Sequence, residues 1–518
     1  MFGLGKKTSK ERPEDKTEAK SAAADDKRPE QRGEAMFETK LLIGGQMVDA
    51  EGGATFERKD PVTGEVASRA AAATPKDAVK AVENAYAAFG EWSAMGPNAR
   101  RAALLKAADI MKTKGPDWAE RCRAETGSTA GWGHFNTAFA AALLTEAAAI
   151  TSQVNGEVIP SDYAGTFSMA VRQPCGVVLG IAPWNAPVIL GVRSIAVPIA
   201  VGNTAILKAS EICPATHMLI GEVFKEAGIP DGVLNVVTHK AEDAGEVVEA
   251  MIAHKAVRRV NFTGSTRVGK LIAQTSAKYL KPVVLELGGK APLVVLDDAD
   301  LDEAVNAAVF GAFMHQGQIC MSTERIVAHK GIADTFLEKF KARTEGLGAG
   351  NPHTSDAPLG AVVDLETAGR VNELIEDAVA KGASTPVRGA ADGTVVSPSI
   401  VDNVTQDMRI WREESFGPVV SMIRANDDDH AVELANDTDY GLSAAVFSQD
   451  VSRALAVARR IDSGICHINS PTVQDEAQMP FGGVKDSGYG RFGGRYGIEA
   501  FTETRWISIA TKPRHYPI

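Results

Sequence analysis

"CGVVLGIAPWNAPVILGVRSIAVPIAVGNTAILKA", residues 175 to 209, sets two short β-branched runs around a longer apolar segment. "CGVVLGIAP" reads as a buried strand, "APVILGVRSIAVPIAVG" as a helix and "TAILKA" as a second buried strand. A strand covered on both faces shows a continuous apolar run, and a helix between two such runs is the mark of a parallel crossover. The rhythm continues with "PATHMLIGEVFKEAG" as helix, "GVLNVVT" as strand, "AEDAGEVVEAMIAH" as helix and "AVRRVNFTG" as strand. From about 176 to 285 this predicts an open, doubly wound parallel α/β sheet.

Outward from there the pattern changes twice. Upstream, alanine-rich 3.6-residue periodicity over 75–114, broken by Gly96-Pro97, predicts two helices, and a third is expected over about 135–154. "EVIPSDYAGTFSMAVRQP", 157–174, is β-prone and predicts a projecting hairpin. Downstream of "VVLELGGKAPLVVLDDAD" the strand–helix alternation resumes, with helices at 300–315 and 331–347, and runs to about Ser470 as a second α/β unit. "AFTETRWISIATKPRHYPI" ends the chain as a strand with an extended tail.

A chain of 518 residues is too long for one compact core and predicts two or three folding units. The net charge of -11 argues against a nucleic-acid partner, and no apolar run is long enough to span a bilayer. The five cysteines are scattered and never form a CxxC pair, so neither a disulfide framework nor a zinc site is expected. No metal is expected, and a reducing, cytoplasmic compartment is. Residues 1–35 carry nine Lys/Arg and eight Asp/Glu, with Met1, Phe2 and Leu4 as the only large apolar residues. Such a segment should be disordered, and its acids count against a transit peptide. Met36 reads like a second natural start.

Several motifs carry chemistry. "NFTGSTRVG" sets Gly264 and Ser265 just after a predicted strand, where a turn into a helix N-terminus accommodates phosphate. Glycines mark such turns in many folds, however, and GxGxxG does not occur at a strand-to-helix turn. In "ILKASE", Lys208 and Glu211 stand at a strand end, fit to hold ribose hydroxyls. Glu211 would repel a 2′-phosphate, favouring NAD over NADP; the alternative is a solvated Lys/Glu pair. "APWNAP" stiffens the backbone around Trp184 and Asn185 with prolines, which suits an amide donor for an oxyanion or simply a rigid turn. "LELGGK" puts Glu286 inside an apolar strand, where desolvation should raise its pKa into the range of a general base. A structural glutamate satisfied by backbone amides would fit equally. "HQGQICMSTE" holds Cys320 with no basic neighbour, and alone that cysteine reads as a small core residue.

Taken together and in order, "PWNAP", "FTGSTRVG", "LELGGKAP", "GQICMSTER", "EESFGPV", "ANDTDYGLSAAVF" and "PFGGVKDSGYGR" resemble the aldehyde dehydrogenase superfamily from about residue 37 to the C-terminus. "RQPCGVV", "VNFTGSTRVG" and "TVQDEAQMPFGG" bring the resemblance closest to the dehydrogenases of salicylaldehyde and related aromatic aldehydes. The resemblance implies two Rossmann-like α/β domains and a small β oligomerisation arm. It implies an NAD-binding domain from 36–156 and 175–285, an arm from 157–174 and 497–518, and a catalytic domain from 286–496. A homodimer or homotetramer is expected.

It further implies that Cys320 attacks the aldehyde carbon, that Asn185 and the Cys320 N–H hold the oxyanion, and that Glu286 activates the water that hydrolyses the thioester. Lys208 and Glu211 would bind the adenine ribose, Gly264 and Ser265 the pyrophosphate, and Trp184, Glu414 and Phe416 the nicotinamide end. Three positions depart from the common pattern. Ala186 follows the asparagine where an aromatic is frequent, Arg193 stands where a large apolar residue is usual, and His315 where asparagine often stands. Arg193 is expected either to meet a polar group on an aromatic aldehyde or to anchor a surface carboxylate, with Trp132 and Phe481 as apolar walls. Without a basic neighbour, thiolate formation at Cys320 is expected to depend on helix or backbone amides, bound cofactor and Glu286. Other readings are an aliphatic or semialdehyde dehydrogenase, a CoA-acylating enzyme and a non-catalytic protein on this fold. The retained Glu286 argues against CoA release, and the intact Cys/Glu/Asn set argues against the last.

Overall fold

A computed structural model of the protein describes residues 36–518. The charged segment expected to be disordered, 1–35, lies outside the described residues. The opening stretch folds as strand Val177–Ile181, helix Pro187–Ala200 and strand Thr204–Lys208, with both strands buried along their whole length. Pro187 opens the helix at a position where a missing N–H leaves nothing unpaired.

Five parallel strands make the centre of the first sheet, in the spatial order Val283–Glu286, Val257–Thr263, Val177–Ile181, Thr204–Lys208 and Leu234–Val237. The chain winds outward from 177 to 237, then crosses back to build the other half. The strand order therefore reverses between Val177–Ile181 and Val257–Thr263. Crevices outside the carboxyl ends of strands at such a reversal are where open α/β sheets bind ligands. Leu41–Ile43 and Gln46–Val48 close one edge as an antiparallel hairpin, and Gly488–Tyr489 closes the other, antiparallel to Val283–Glu286. That last pair comes from 286–496, the stretch expected wholly in the second unit. It returns because the first sheet's last parallel strand would otherwise leave a bare edge.

The second sheet has six parallel strands and the antiparallel edge Ser384–Val387, with Ala291–Val295 and Thr323–His329 adjacent at its centre. The architecture is thus α/β with two doubly wound sheets, as the sequence predicts. A third sheet pairs Thr502–Ala510 with Thr166–Pro174 along nine residues, and Glu157–Ile159 flanks them. The expected hairpin and the expected C-terminal strand are therefore one structure.

The helices 75–114 fall as predicted, Pro75–Ala94 and Pro97–Thr113, split at Gly96. Gly115–Thr126 is an additional helix that the sequence reading passed over. The next helix, Ala130–Ile150, starts earlier than expected because the Thr129 side chain caps it by accepting from the Trp132 N–H. Glu125, at the end of the additional helix, is fully buried and accepts from the Ala215 and Thr216 N–H groups, each at 2.9 Å. The Ser68 and Thr216 hydroxyls donate to it as well, at 2.6 Å each. Burial pushes its carboxyl upward, while these donors favour the charged form. Glu125→Ala strands three donors at the start of helix Pro214–Glu226 and the Ser68 hydroxyl, and should cost about 3 kcal/mol. A fall in the melting temperature by scanning calorimetry, partly restored in Glu125→Gln, checks this.

Candidate active site

Asn185 follows the C-terminal end of strand Val177–Ile181, at the reversal of strand order. Its side-chain NH₂ donates to the Gln318 carbonyl at 2.9 Å, and its own backbone carbonyl accepts from the Trp132 indole N–H at 2.9 Å. The amide is held at both ends, and one of its two N–H groups is left for a ligand.

Cys320 is reached through an unusual turn. After helix Leu301–Phe313 the residues His315, Gln316 and Gly317 all take left-handed conformations, with φ of 50°, 57° and 70°. Each non-glycine residue there costs about 1–2 kcal/mol, so the surroundings must hold the turn in place. They do so by three contacts. Gln316 Nε2 donates to the Ala361 carbonyl at 2.6 Å, Gln318 Oε1 accepts from the Val363 N–H at 2.9 Å, and the Trp132 indole stacks on the His315 ring at 4.4 Å. The turn delivers Cys320 just before strand Thr323–His329 begins. Gly289 lets this happen, since a Cβ there would lie 2.2 Å from the Cys320 carbonyl oxygen.

Glu324 binds the neighbouring loops together. It pairs with the buried Lys290 ammonium at 2.7 Å and accepts from the Ser415 N–H, the Ser415 hydroxyl and the Phe416 N–H. This brings Glu414 and Phe416 to the site. Phe416 has φ of 45° and meets Trp184 edge to face at 5.7 Å.

A cavity of about 310 Å³ results, walled by Trp184, Asn185, Gly264, Ser265, Glu286, Cys320, Glu414 and Phe416. Lys208 and Glu211 sit at the next strand end, ion-paired at 3.4 Å, and do not line it. Asp364, Thr367 and Arg370 also line the cavity, and the sequence reading had not selected them. Trp132 lies behind Asn185, while Phe481 and Arg193 line a smaller adjacent cavity.

Burial pushes the Glu286 carboxyl up to about 7, opposed by its hydrogen bond with Cys320 and by the Arg193 charge. Burial, and then the Glu286 charge, push the Cys320 thiol well up, so the resting sulfur carries its proton. The expected help from helix amides does not operate, because Cys320 sits between a left-handed turn and a strand rather than at a helix N-terminus. Glu414 is raised to about 8 by burial, although the Gly289 N–H donates to it at 2.8 Å. Glu211 is held low: burial would raise it, but the Lys208 charge and backbone donation prevail.

Arg193 anchors a carboxylate, though not one at the surface. It is buried, its guanidinium is ion-paired with Asp475, and it lies 4.3 Å from the centre of the Phe481 ring. An unpaired guanidinium in an apolar wall would bear a large desolvation cost, and the Asp475 carboxylate removes it. That carboxylate is not at the surface, with its side chain 15% exposed. The acids Asp475 and Glu476 stand out in "TVQDEAQ", but the partner of Asp475 is 282 residues away in the chain.

A thiol, a carboxyl that titrates near neutrality and an amide donor, converging where an open α/β sheet binds ligands, form a site for covalent chemistry at a carbonyl carbon. The chain belongs to the aldehyde dehydrogenase family, whose model matches residues 47–507. It is 56% identical over 483 residues to a vanillin dehydrogenase of Pseudomonas fluorescens, covering 93% of this chain and all of that one. The crystal structure of a salicylaldehyde dehydrogenase from Pseudomonas putida G7, complexed with salicylaldehyde, is 48% identical and superposes with a TM-score of 0.91, over 93% of this chain and 100% of that one. A betaine aldehyde dehydrogenase of Staphylococcus aureus in complex with NAD+ is 33% identical, with a TM-score of 0.88 over 92% of this chain and 97% of that one.

The left-handed turn makes a direct test of how Cys320 is held. In Gly317→Ala the new Cβ would stand 2.2 Å from the Gly417 carbonyl oxygen, at a φ that alanine adopts reluctantly. Turnover should fall at least about tenfold, with a loss of about 1–3 kcal/mol in stability. Steady-state kinetics and thermal melting on the same preparation check both.

Proposed function

We propose that this protein oxidises an aromatic aldehyde, of the salicylaldehyde, benzaldehyde or vanillin type, to its carboxylic acid with NAD. The observation that carries the reading is the convergence of Cys320, Glu286 and Asn185 on one cavity. The names of the similar proteins support the aromatic class over aliphatic or semialdehyde substrates.

Glu286, on the same cavity wall as the Cys320 thiol, takes its proton, and the sulfur adds to the aldehyde carbon. The oxyanion is held by the free N–H of the Asn185 amide and by the Cys320 backbone N–H. NAD, when bound, accepts the hydride that leaves that carbon. A thioester on Cys320 remains; Glu286 passes the thiol's proton to solvent and then draws a proton from the water that hydrolyses the thioester, which favours release to water over transfer to CoA. Lys208 and Glu211 are suited to the adenine ribose, and the ionised Glu211 disfavours a 2′-phosphate. Gly264 and Ser265, at the start of helix Thr266–Lys278, are suited to the pyrophosphate, and Trp184, Glu414 and Phe416 to the nicotinamide end.

In this reading 36–156 and 175–285 form the cofactor domain and 286–496 the catalytic domain of a cytoplasmic enzyme. Residues 157–174 and 497–518 form an arm that joins subunits into a homodimer or homotetramer. Val158, Phe167 and Ile509, all exposed and on one face of that sheet by its register, support an unpaired face there. Among the described residues no helix is long and apolar enough to cross a membrane.

NADH production across salicylaldehyde, vanillin, benzaldehyde, succinic semialdehyde and hexanal tests the substrate class, with Cys320→Ser as the inactive, NAD-binding control. Aromatic substrates should lead in kcat/KM, and a lead for hexanal or the semialdehyde defeats the reading. Because Glu286 works unprotonated, kcat/KM should rise with pH through about 7 and level off above it. Glu286→Gln should remove that limb and about 10²–10⁴-fold of the rate, as a pH–rate profile of both proteins would record.

A further inference from the structure

His217 is fully buried on helix Pro214–Glu226 and takes no part in the chemistry above, yet it is bonded to two loops which that chemistry uses. Its Nδ1 accepts from the Ser210 N–H at 3.0 Å, and its Nε2 donates to the Pro187 carbonyl at 3.0 Å. An amide N–H only donates and a carbonyl only accepts, so these partners put the ring proton on Nε2 and satisfy both nitrogens. Burial pushes the ring down to about 3, which keeps it neutral, in the one form that serves both partners. Ser210 stands between Lys208 and Glu211, and Pro187 comes two residues after Asn185. The two loops leave adjacent parallel strands, paired as far as Ile181 and Lys208.

A rigid ring bonded at both ends is a spacer of fixed length. Its base is fixed as well, since Glu125 accepts from the Ala215 and Thr216 N–H groups at the start of the same helix. Gly191 admits the ring against helix Pro187–Ala200: a Cβ there would lie 3.2 Å from His217 Cδ2 and 2.5 Å from Ile220 Cδ1. The Asn185 side chain in turn donates to the carbonyl of Gln318, two residues before Cys320. A line of bonds thus runs from the 208–211 loop through His217 and the 185–187 loop to the nucleophile. We infer that His217 is a positioning residue that holds the ribose-binding loop and the oxyanion donor at one spacing, so that NAD is seated in register with the carbon that Cys320 attacks. This rests on the reading that Lys208 and Glu211 hold the adenine ribose, and it adds what ties that end of the cofactor to the reacting end.

The two contacts can be removed separately. In His217→Asn the side-chain carbonyl stands near the place of Nδ1 and still accepts from Ser210, while the Pro187 contact is lost. In His217→Gln the side-chain NH₂ stands near the place of Nε2 and keeps Pro187, while the Ser210 N–H loses its acceptor. With the best aldehyde of the panel above and saturating NAD, His217→Asn should lower kcat/KM about tenfold and leave the NAD dissociation constant unchanged. His217→Gln should do the reverse, weakening NAD about tenfold by titration calorimetry with kcat/KM retained. His217→Phe should show both losses. A merely structural ring gives one pattern in all three, a lower melting temperature with unchanged kinetics per folded molecule, and that result overturns the inference. Should no variant fold, hydrogen exchange in the wild type decides. AMP, which fills only the adenosine end, should slow exchange over 184–190, and no slowing overturns the inference. Lys208→Ala checks the parent reading: an unchanged NAD dissociation constant defeats the ribose assignment and this inference with it. A weakened constant there, with no separation between the first two His217 variants, defeats this inference alone.

Discussion

Much of this site depends on one buried ion pair. Lys290 and Glu324 are almost sealed from solvent, and an isolated pair of that kind gains little, because desolvating two charges offsets their attraction. Here the balance is shifted by three further donors to Glu324, from Ser415 and Phe416. Those donors make the pair a junction. Lys290 ends the segment that begins with Glu286, Glu324 stands four residues after Cys320, and Ser415 lies between Glu414 and Phe416. Three segments far apart in sequence are thereby fixed against one another. The adjacent Arg325 extends the junction by donating to the Leu434, Ala435 and Asp437 carbonyls. Removing one partner of such a buried pair costs about 3–5 kcal/mol, since the other is left charged and unpaired.

Electrostatics at the site favour rest over reactivity. Burial raises Glu286, Glu414 and Cys320 together, so the cavity disfavours a second negative charge once one is present. The proton between sulfur and carboxyl is thus shared by two groups that both resist ionising. In the proposed mechanism a carbonyl oxygen held by Asn185 gives the negative charge a place to go, so Cys320 is activated only when something is there to attack.

The sequence revealed most where a local rule holds. Continuous apolar runs gave the central strands of both sheets, and Gly96-Pro97 marked a helix break that the structure keeps. Where structure depends on distant partners, the reading fell short. No helix was expected beyond Lys114, yet Gly115-Pro116 opens one that ends at Gly127 with φ of 70°. His315 was visible as an odd residue, but not as part of a left-handed turn braced by Trp132 and Ala361. The carboxylate that Arg193 anchors was expected at the surface and not identified, because Asp475 is close to it only in space. Eight of the selected residues meet in one cavity because motif order reports chemistry directly, whereas ion pairs across the fold leave no local trace.

The return of Gly488–Tyr489 to the edge of the first sheet bears on how the chain acquires its structure. Its partner strand ends at Glu286, some two hundred residues earlier, and nearly the whole second sheet intervenes. Closing so long a loop is slow, since the entropy must be lost before the contact rewards it. The two α/β units therefore cannot mature as independent beads. The edge of the strand that carries Glu286 is completed only by a segment that follows nearly the whole second sheet in sequence, which ties the setting of Glu286 to the folding of the stretch that holds Cys320.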